Sequence, residues 1–143
     1  METLNDLAFG LLSGLAYGLA GIVLLGLGFI ALDLVTPGKL GDIVFNDRNP
    51  DAALVVASGV LAIGTIVTTA IVTSDDAFLR GLSNVAGYGL LGVVLLAISF
   101  LVVDKLTPGH LGQMLIDSER HPAALITAAS HLAVGAIIAA AIA

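Results

Sequence analysis

Between Leu7 and Val35 the chain runs through an almost continuous apolar stretch whose only charged residue is Asp33. About 20 helical residues cross the ~30 Å hydrocarbon core of a bilayer. At 1.5 Å per residue this run measures roughly 40 Å, so as a spanning helix it must tilt, kink or project into the interface. Comparable apolar runs recur through the remainder of the 143 residues. A soluble domain of this size needs far more charge than 11% charged against 58% hydrophobic residues provides, and the mean hydropathy of +1.08 points the same way.

The first run ends in Asp33-Leu34-Val35-Thr36-Pro37-Gly38-Lys39-Leu40-Gly41, and 71 residues later the chain reads Asp104-Lys105-Leu106-Thr107-Pro108-Gly109-His110-Leu111-Gly112. Tyr17-Gly18-Leu19 returns as Tyr88-Gly89-Leu90, and Leu54, Leu61 and Gly64 return as Leu125, Leu132 and Gly135. Apolar runs match easily by chance; an Asp-x-x-Thr-Pro-Gly-x-Leu-Gly string does not. Proline pushes the residue before it out of the α region and glycine accepts positive φ, so each string stops a helix.

The expected organisation is all-α, a polytopic membrane protein with four transmembrane helices in two parallel two-helix repeats. Residues 1–73 form the first repeat, with helices at about 7–35 and 52–73. Residues 74–143 form the second, with helices at about 82–106 and 122–143. Asn49 is placed to cap the second helix, with Pro50 in its first turn. Leu40, Ile43 and Val44 fall on one side of a short interfacial helix around Leu40 to Phe45. Glu2 and Asp6, where a signal peptide would be basic, predict that the first segment is retained. Two helices per repeat give both repeats the same orientation, related by an axis along the membrane normal, with both Thr-Pro-Gly turns on one side. Lys39, Arg48, Lys105 and Arg120 flank those turns against Arg80 alone on the other side, which predicts cytoplasmic turns and both termini outside.

Asp33 and Asp104 are the clearest candidates for a polar site, since a carboxylate in hydrocarbon needs a partner or water. As a functional pair near a pseudo-twofold axis they would bind or relay a cation or proton, with Thr36 and Thr107 beside them. As structural groups they accept hydrogen bonds from those threonines and from the turn backbone, offsetting their unfavourable place at a helix C-terminus. Pro37, Gly38, Pro108 and Gly109 are the turn itself. His131, near the middle of the last helix, is either a proton-relaying group or a neutral imidazole bonded to a hydroxyl on a neighbouring helix; the corresponding part of the second helix offers Ser58 and Gly59.

Gly10, Gly14, Gly18 and Gly21, with Gly89 and Gly92 on the third helix, form small-residue faces suited to close helix packing, within the unit or between subunits. Tyr17 and Tyr88 lie inside their helices, where a hydroxyl is expected to bond to another helix. Thr65, Thr68 and Thr69 either line a polar path or bond to their own preceding turn.

No Ser–His–Asp arrangement, phosphate-binding glycine loop or metal-ligand spacing occurs, so no enzyme, cofactor or metal is expected. With Cys 0 there is no thiol chemistry, and a net charge of −6 without basic patches argues against nucleic acid.

Tandem two-helix units carrying Asp-x-x-Thr-Pro-Gly turns resemble the DUF350 family of small prokaryotic membrane proteins. The resemblance covers nearly the whole chain, although His110 stands where the first copy has Lys39. It implies a four-helix inner-membrane protein, with cytoplasmic envelope-stress proteins as the partner class. The expected function is a non-enzymatic, homo-oligomeric membrane scaffold or interaction module in envelope maintenance. The alternative is a small ion or proton channel using Asp33 and Asp104.

Overall fold

A computed structural model of the chain describes residues 2–36, 38–74, 77–106 and 121–143. Four long helices make up most of it: α1 (Glu2–Val35), α3 (Pro50–Val72), α4 (Phe78–Leu106) and α5 (Ala123–Ile142), with a single short helix, α2 (Leu40–Phe45), between the first two. All four long helices are apolar and long enough to cross a membrane. With 34 residues, α1 measures about 51 Å, against about 30 Å for the 20 residues of α5.

Two of these helices start earlier than their hydropathy suggests. Glu2 to Asp6 already lie in α1, and Phe78 to Gly81 in α4, because polar residues at a helix end sit in the headgroup region without breaking backbone hydrogen bonds. Phe78 packs edge-on against both Phe9 and Tyr17, with ring centroids 6.2 and 6.0 Å apart. With Tyr17 level with Gly81, the start of α1 rises about 18 Å beyond the start of α4.

Helix α3 packs on α1, α4 and α5, and α4 packs on α1, α3 and α5; among the described residues α1 and α5 do not meet. The core has two parts. Toward the turn side, Leu32, Val55, Phe100 and Ala124 close around Leu40 and Ile43 of α2. Toward the far side, Leu24, Ile63, Val85, Val93 and Leu96 fill the space between α1, α3 and α4. The apolar side of α2 thus faces the protein core, where an interfacial helix would face lipid. Lipid instead receives side chains such as Leu11, Leu12, Ile22, Leu125 and Ile137, each at least 60% exposed. Since lipid tails are as apolar as leucine, the helices are held by close packing and by polar contacts between them.

The packing register shows how the two repeats sit. Tyr17 of α1 lies on Gly81 of α4 and Leu24 lies on Gly89, so the two helices run parallel. These partners are 64 and 65 residues apart where the repeat offset is 71. Hence α4 is slid along α1 toward the turn side by six or seven residues, about 10 Å. Ser58 meets His131, and Ala62 meets Gly135, at a separation of 73 residues, a slide of only about 3 Å in the same sense. Asp33 and Asp104 consequently lie at different depths, as do Tyr17 and Tyr88.

Candidate functional site

Asp33 sits near the C-terminal end of α1, where the helix dipole disfavours a carboxylate. Its Oδ1 reaches over the turn and accepts the Leu40 backbone N–H at 2.6 Å. Leu40 opens α2, whose cap residue Lys39 supplies no side-chain cap. Asp33 therefore serves as a cap supplied from the preceding helix, and the positive end of α2 offsets the negative end of α1. The chain can fold back this tightly because Gly38 adopts φ 91°, a conformation that suits glycine. Thr36 does not bond to Asp33: its buried hydroxyl donates to Leu32 O at 2.8 Å, within its own helix. Pro37 and the whole second turn, including Thr107, Pro108 and Gly109, lie outside the described residues. Asp104 is half-buried on the last turns of α4.

The polar contacts between repeats gather in the seam of α3 and α5. Near its far side, Gly135 lets the helices touch backbone to backbone: a Cβ there would stand 2.8 Å from both Cα and Cβ of Ala62. One turn down, Ser58 Oγ lies 3.1 Å from Nδ1 of His131, whose side chain is fully buried. Ser58 also donates to Val55 O at 2.8 Å. The ring of Phe100 covers the imidazole with its centroid 6.3 Å away. No hydrogen-bond partner reaches Nε2 of His131.

At the turn side of the same seam, Asp51 Oδ2 accepts the backbone N–H of His121 at 2.6 Å. The Nδ1 of His121 in turn accepts the Ala123 N–H at 3.3 Å, at the start of α5. Asp51, buried to 9% exposure, stands in the first turn of α3 behind the Asn49 cap, which accepts from Asp51 N and Ala52 N. One carboxylate therefore serves the positive ends of two helices. Pro50, Asp51, Leu54, His121, Pro122 and Leu125 line an open groove of about 400 Å³ there. The Asp51 clamp is not apparent from the sequence, where Asp51 after Pro50 reads as an ordinary first-turn acid. The available signal is its place directly after the helix-starting Pro50, opposite the slipped proline of the second repeat.

The remaining candidates are dispersed. Gly21, Gly89 and Gly92 lie against Val67, Leu24 and Ile66, whereas a Cβ at Gly10, Gly14 or Gly18 would meet nothing within 4 Å. The Tyr17 hydroxyl rests on Gly81, while Tyr88 is 41% exposed. Thr65 and Thr69 donate to Leu61 O and Thr65 O of their own helix, both at 2.9 Å. Among the described residues no group of three or more His, Cys, Asp or Glu could hold a metal ion.

A family model described as Domain of Unknown Function (DUF350) matches residues 6–142. The chain belongs to the DUF350 family. A UPF0719 transmembrane protein of Mycolicibacterium paratuberculosis is 38% identical over 139 residues, covering 97% of this chain and 92% of that protein. UPF0719 transmembrane proteins of Mycobacterium bovis and Mycobacterium tuberculosis are each 33% identical over 140 residues, 98% of this chain and 92% of theirs. No solved structure matches the chain. This DUF350 protein is thus an integral membrane protein of a transmembrane family to which no enzymatic activity is attached.

Proposed function

We propose that this DUF350 protein is a non-enzymatic membrane scaffold or interaction module that works as a homo-oligomer in the cell membrane. Its turns face the cytoplasm, where envelope-stress proteins are the partner class. The observation that carries this reading is how the polar groups of the spans are used. Ser58, Thr65, Thr69, Ser83, Thr127 and Ser130 each donate to a carbonyl of their own helix. The space between the helices is filled by Leu32, Ile63, Ile66, Leu96 and Phe100, all under 3% exposed. An ion pathway needs charged or polar groups that face a water-filled cavity, whereas hydroxyls satisfied within their own helix and a filled interior suit a packing element. The open Gly10, Gly14 and Gly18 on α1 leave a close-approach face for another copy.

The test is ion and proton flux into liposomes carrying the purified protein, wild type beside Asp33→Asn/Asp104→Asn. The scaffold reading expects both to match protein-free liposomes across several ions and pH values. Wild-type flux that disappears in the variant while the oligomer survives would replace it with the channel reading. Cross-linking in native membranes, repeated with Gly14→Leu, separately tests the oligomer.

A further inference from the structure

The groove between the starts of α3 and α5 joins charged and apolar surface at the edge of the membrane. Its volume of about 400 Å³ is lined by polar Asp51 and His121 and by apolar Pro50, Leu54, Pro122 and Leu125. That volume falls within the roughly 300–1,000 Å³ of small-molecule sites. The membrane-crossing stretches of α3 and α5 begin at Pro50 and Ala123, so the groove lies at headgroup depth. Leu54 and Leu125 stand one turn or less further in, and Leu125 is 65% exposed on the lipid-facing surface.

What the groove can hold follows from the polar groups it presents. The first-turn N–H groups of both helices are already taken. Asn49 Oδ1 accepts from Asp51 and Ala52, and Asn49 O from Ala53. His121 Nδ1 accepts from Ala123, His121 O from Ala124, and Pro122 O from Leu125 and Ile126. A simple anion therefore finds no bare helix end here, and it would face the Asp51 carboxylate. Asp51 is nine-tenths buried, and the His121 N–H takes one acceptor site on its Oδ2. A carboxylate has about four such sites, so Asp51 has capacity for a cationic donor as well. The His121 ring supplies the complement. Its Nδ1 accepts the Ala123 N–H and so carries no hydrogen, which leaves the ring hydrogen on Nε2 as a donor. A metal ion would use the carboxylate alone, and no group of three or more His, Cys, Asp or Glu able to hold one exists among the described residues. A molecule with an ammonium, an anionic oxygen and an apolar stem uses the carboxylate, the ring N–H and the leucine wall together.

We propose that this groove binds the headgroup of an aminophospholipid of the phosphatidylethanolamine class, in the leaflet on the turn side. The ammonium donates to the Asp51 carboxylate, the phosphate accepts from His121 Nε2–H, and the acyl chains leave over Leu54 and Leu125. The carboxylate that clamps the α3–α5 seam is thereby also the lipid contact. The site is complete within one chain, so it stands or falls independently of the scaffold reading and of the oligomer.

The experiment is native mass spectrometry of the delipidated full-length protein, offered an equal mixture of phosphatidylethanolamine, phosphatidylcholine and phosphatidylglycerol with matched acyl chains. Wild type should retain phosphatidylethanolamine over both others, since choline has no N–H to donate and glycerol no positive charge. Asp51→Asn keeps an acceptor for the His121 N–H, and so the clamp, but removes the charge; the preference should fall about tenfold. His121→Asn keeps a capping acceptor for Ala123 while withdrawing the distal ring N–H, and should also retain less phosphatidylethanolamine. Asp42→Asn, the same change of charge placed on α2, should select as wild type does. Equal retention of the three lipids by wild type, or a preference for phosphatidylglycerol, would overturn the proposal. So would a folded Asp51→Asn that selects like wild type, or an equal loss in Asp42→Asn. Should Asp51→Asn not fold, His121→Asn decides, and a wild-type preference there overturns the proposal.

Discussion

Gly64 and Gly135 are repeat mates, yet a methyl group added to each meets different surroundings. At Gly64 a Cβ would find nothing within 4 Å; at Gly135 it would stand 2.8 Å from Cα and Cβ of Ala62 and 3.2 Å from its carbonyl oxygen. Carbon atoms rest at about 3.5–4.0 Å, so Gly135→Ala requires α3 and α5 to separate by roughly 1 Å at that level. The contact is largely backbone, so no rotamer change relieves it. Overpacking of this kind costs about 1–3 kcal/mol. The separation also reaches the Ser58–His131 bond one turn away, which at 3.1 Å has little room to lengthen; its loss adds about 0.6–1.7 kcal/mol. Gly135→Ala should therefore lose about 2–5 kcal/mol, and Gly64→Ala should stay within about 0.5 kcal/mol of wild type. Reversible unfolding in mixed micelles, with both variants and wild type measured together, reads this directly. Equal losses at the two glycines, or a Gly135→Ala as stable as wild type, would refute the α3–α5 register and the argument built on it.

Three other outcomes follow from the clamps. Asp33→Ala should remove the cap on α2 at a cost of about 0.5–2 kcal/mol, seen as faster hydrogen exchange at residues 40–45, whereas Asp33→Asn, which keeps an acceptor oxygen, should preserve most of the protection. Asp51→Ala leaves the part-buried His121 N–H without its carboxylate and should destabilise by about 0.5–1.5 kcal/mol, with faster exchange at the start of α5; an unchanged exchange pattern would remove Asp51 from the seam. Ser58→Ala should lose about 0.6–1.7 kcal/mol in the same unfolding assay, and combining it with His131→Phe should cost less than the sum of the two single changes.

Much of the fold is legible because bilayer chemistry leaves few choices. Long apolar runs must be helices, the Thr-Pro-Gly string must stop one, and Asn49-Pro50 must start the next. The apolar side of α2, carried by Leu40, Ile43 and Val44, is equally plain, yet periodicity says only that a face is apolar, not whether lipid or protein covers it. The site is less legible for a related reason. Ser58 and His131 can each be marked as polar groups in apolar helices, but their meeting depends on the α3–α5 register, which the close approach of Gly135 to Ala62 sets. Asp51 is hidden more deeply, since a carboxylate after a helix-starting proline reads as an ordinary first-turn acid until a second helix end is placed beside it.

The duplication explains why equivalent residues need not do equivalent work. A strict twofold would place Asp33 and Asp104 at one depth and Tyr17 and Tyr88 in matching surroundings. Instead α3 packs against α4 while their counterparts, α5 and α1, do not meet among the described residues, and a bundle closed on one side only cannot keep its repeats level. The slide of α4 along α1 lets Gly81, the repeat mate of Gly10, receive the Tyr17 hydroxyl, and leaves Tyr88 exposed. Once the repeats are staggered, selection acts on each copy separately. That accounts for the single His131 with no partner histidine in α3, and for an inter-repeat clamp built from Asp51 of one copy and the His121 backbone of the other. A mechanism requiring two matched carboxylates at one level is disfavoured by the same stagger, whereas a scaffold requires only that the seam hold.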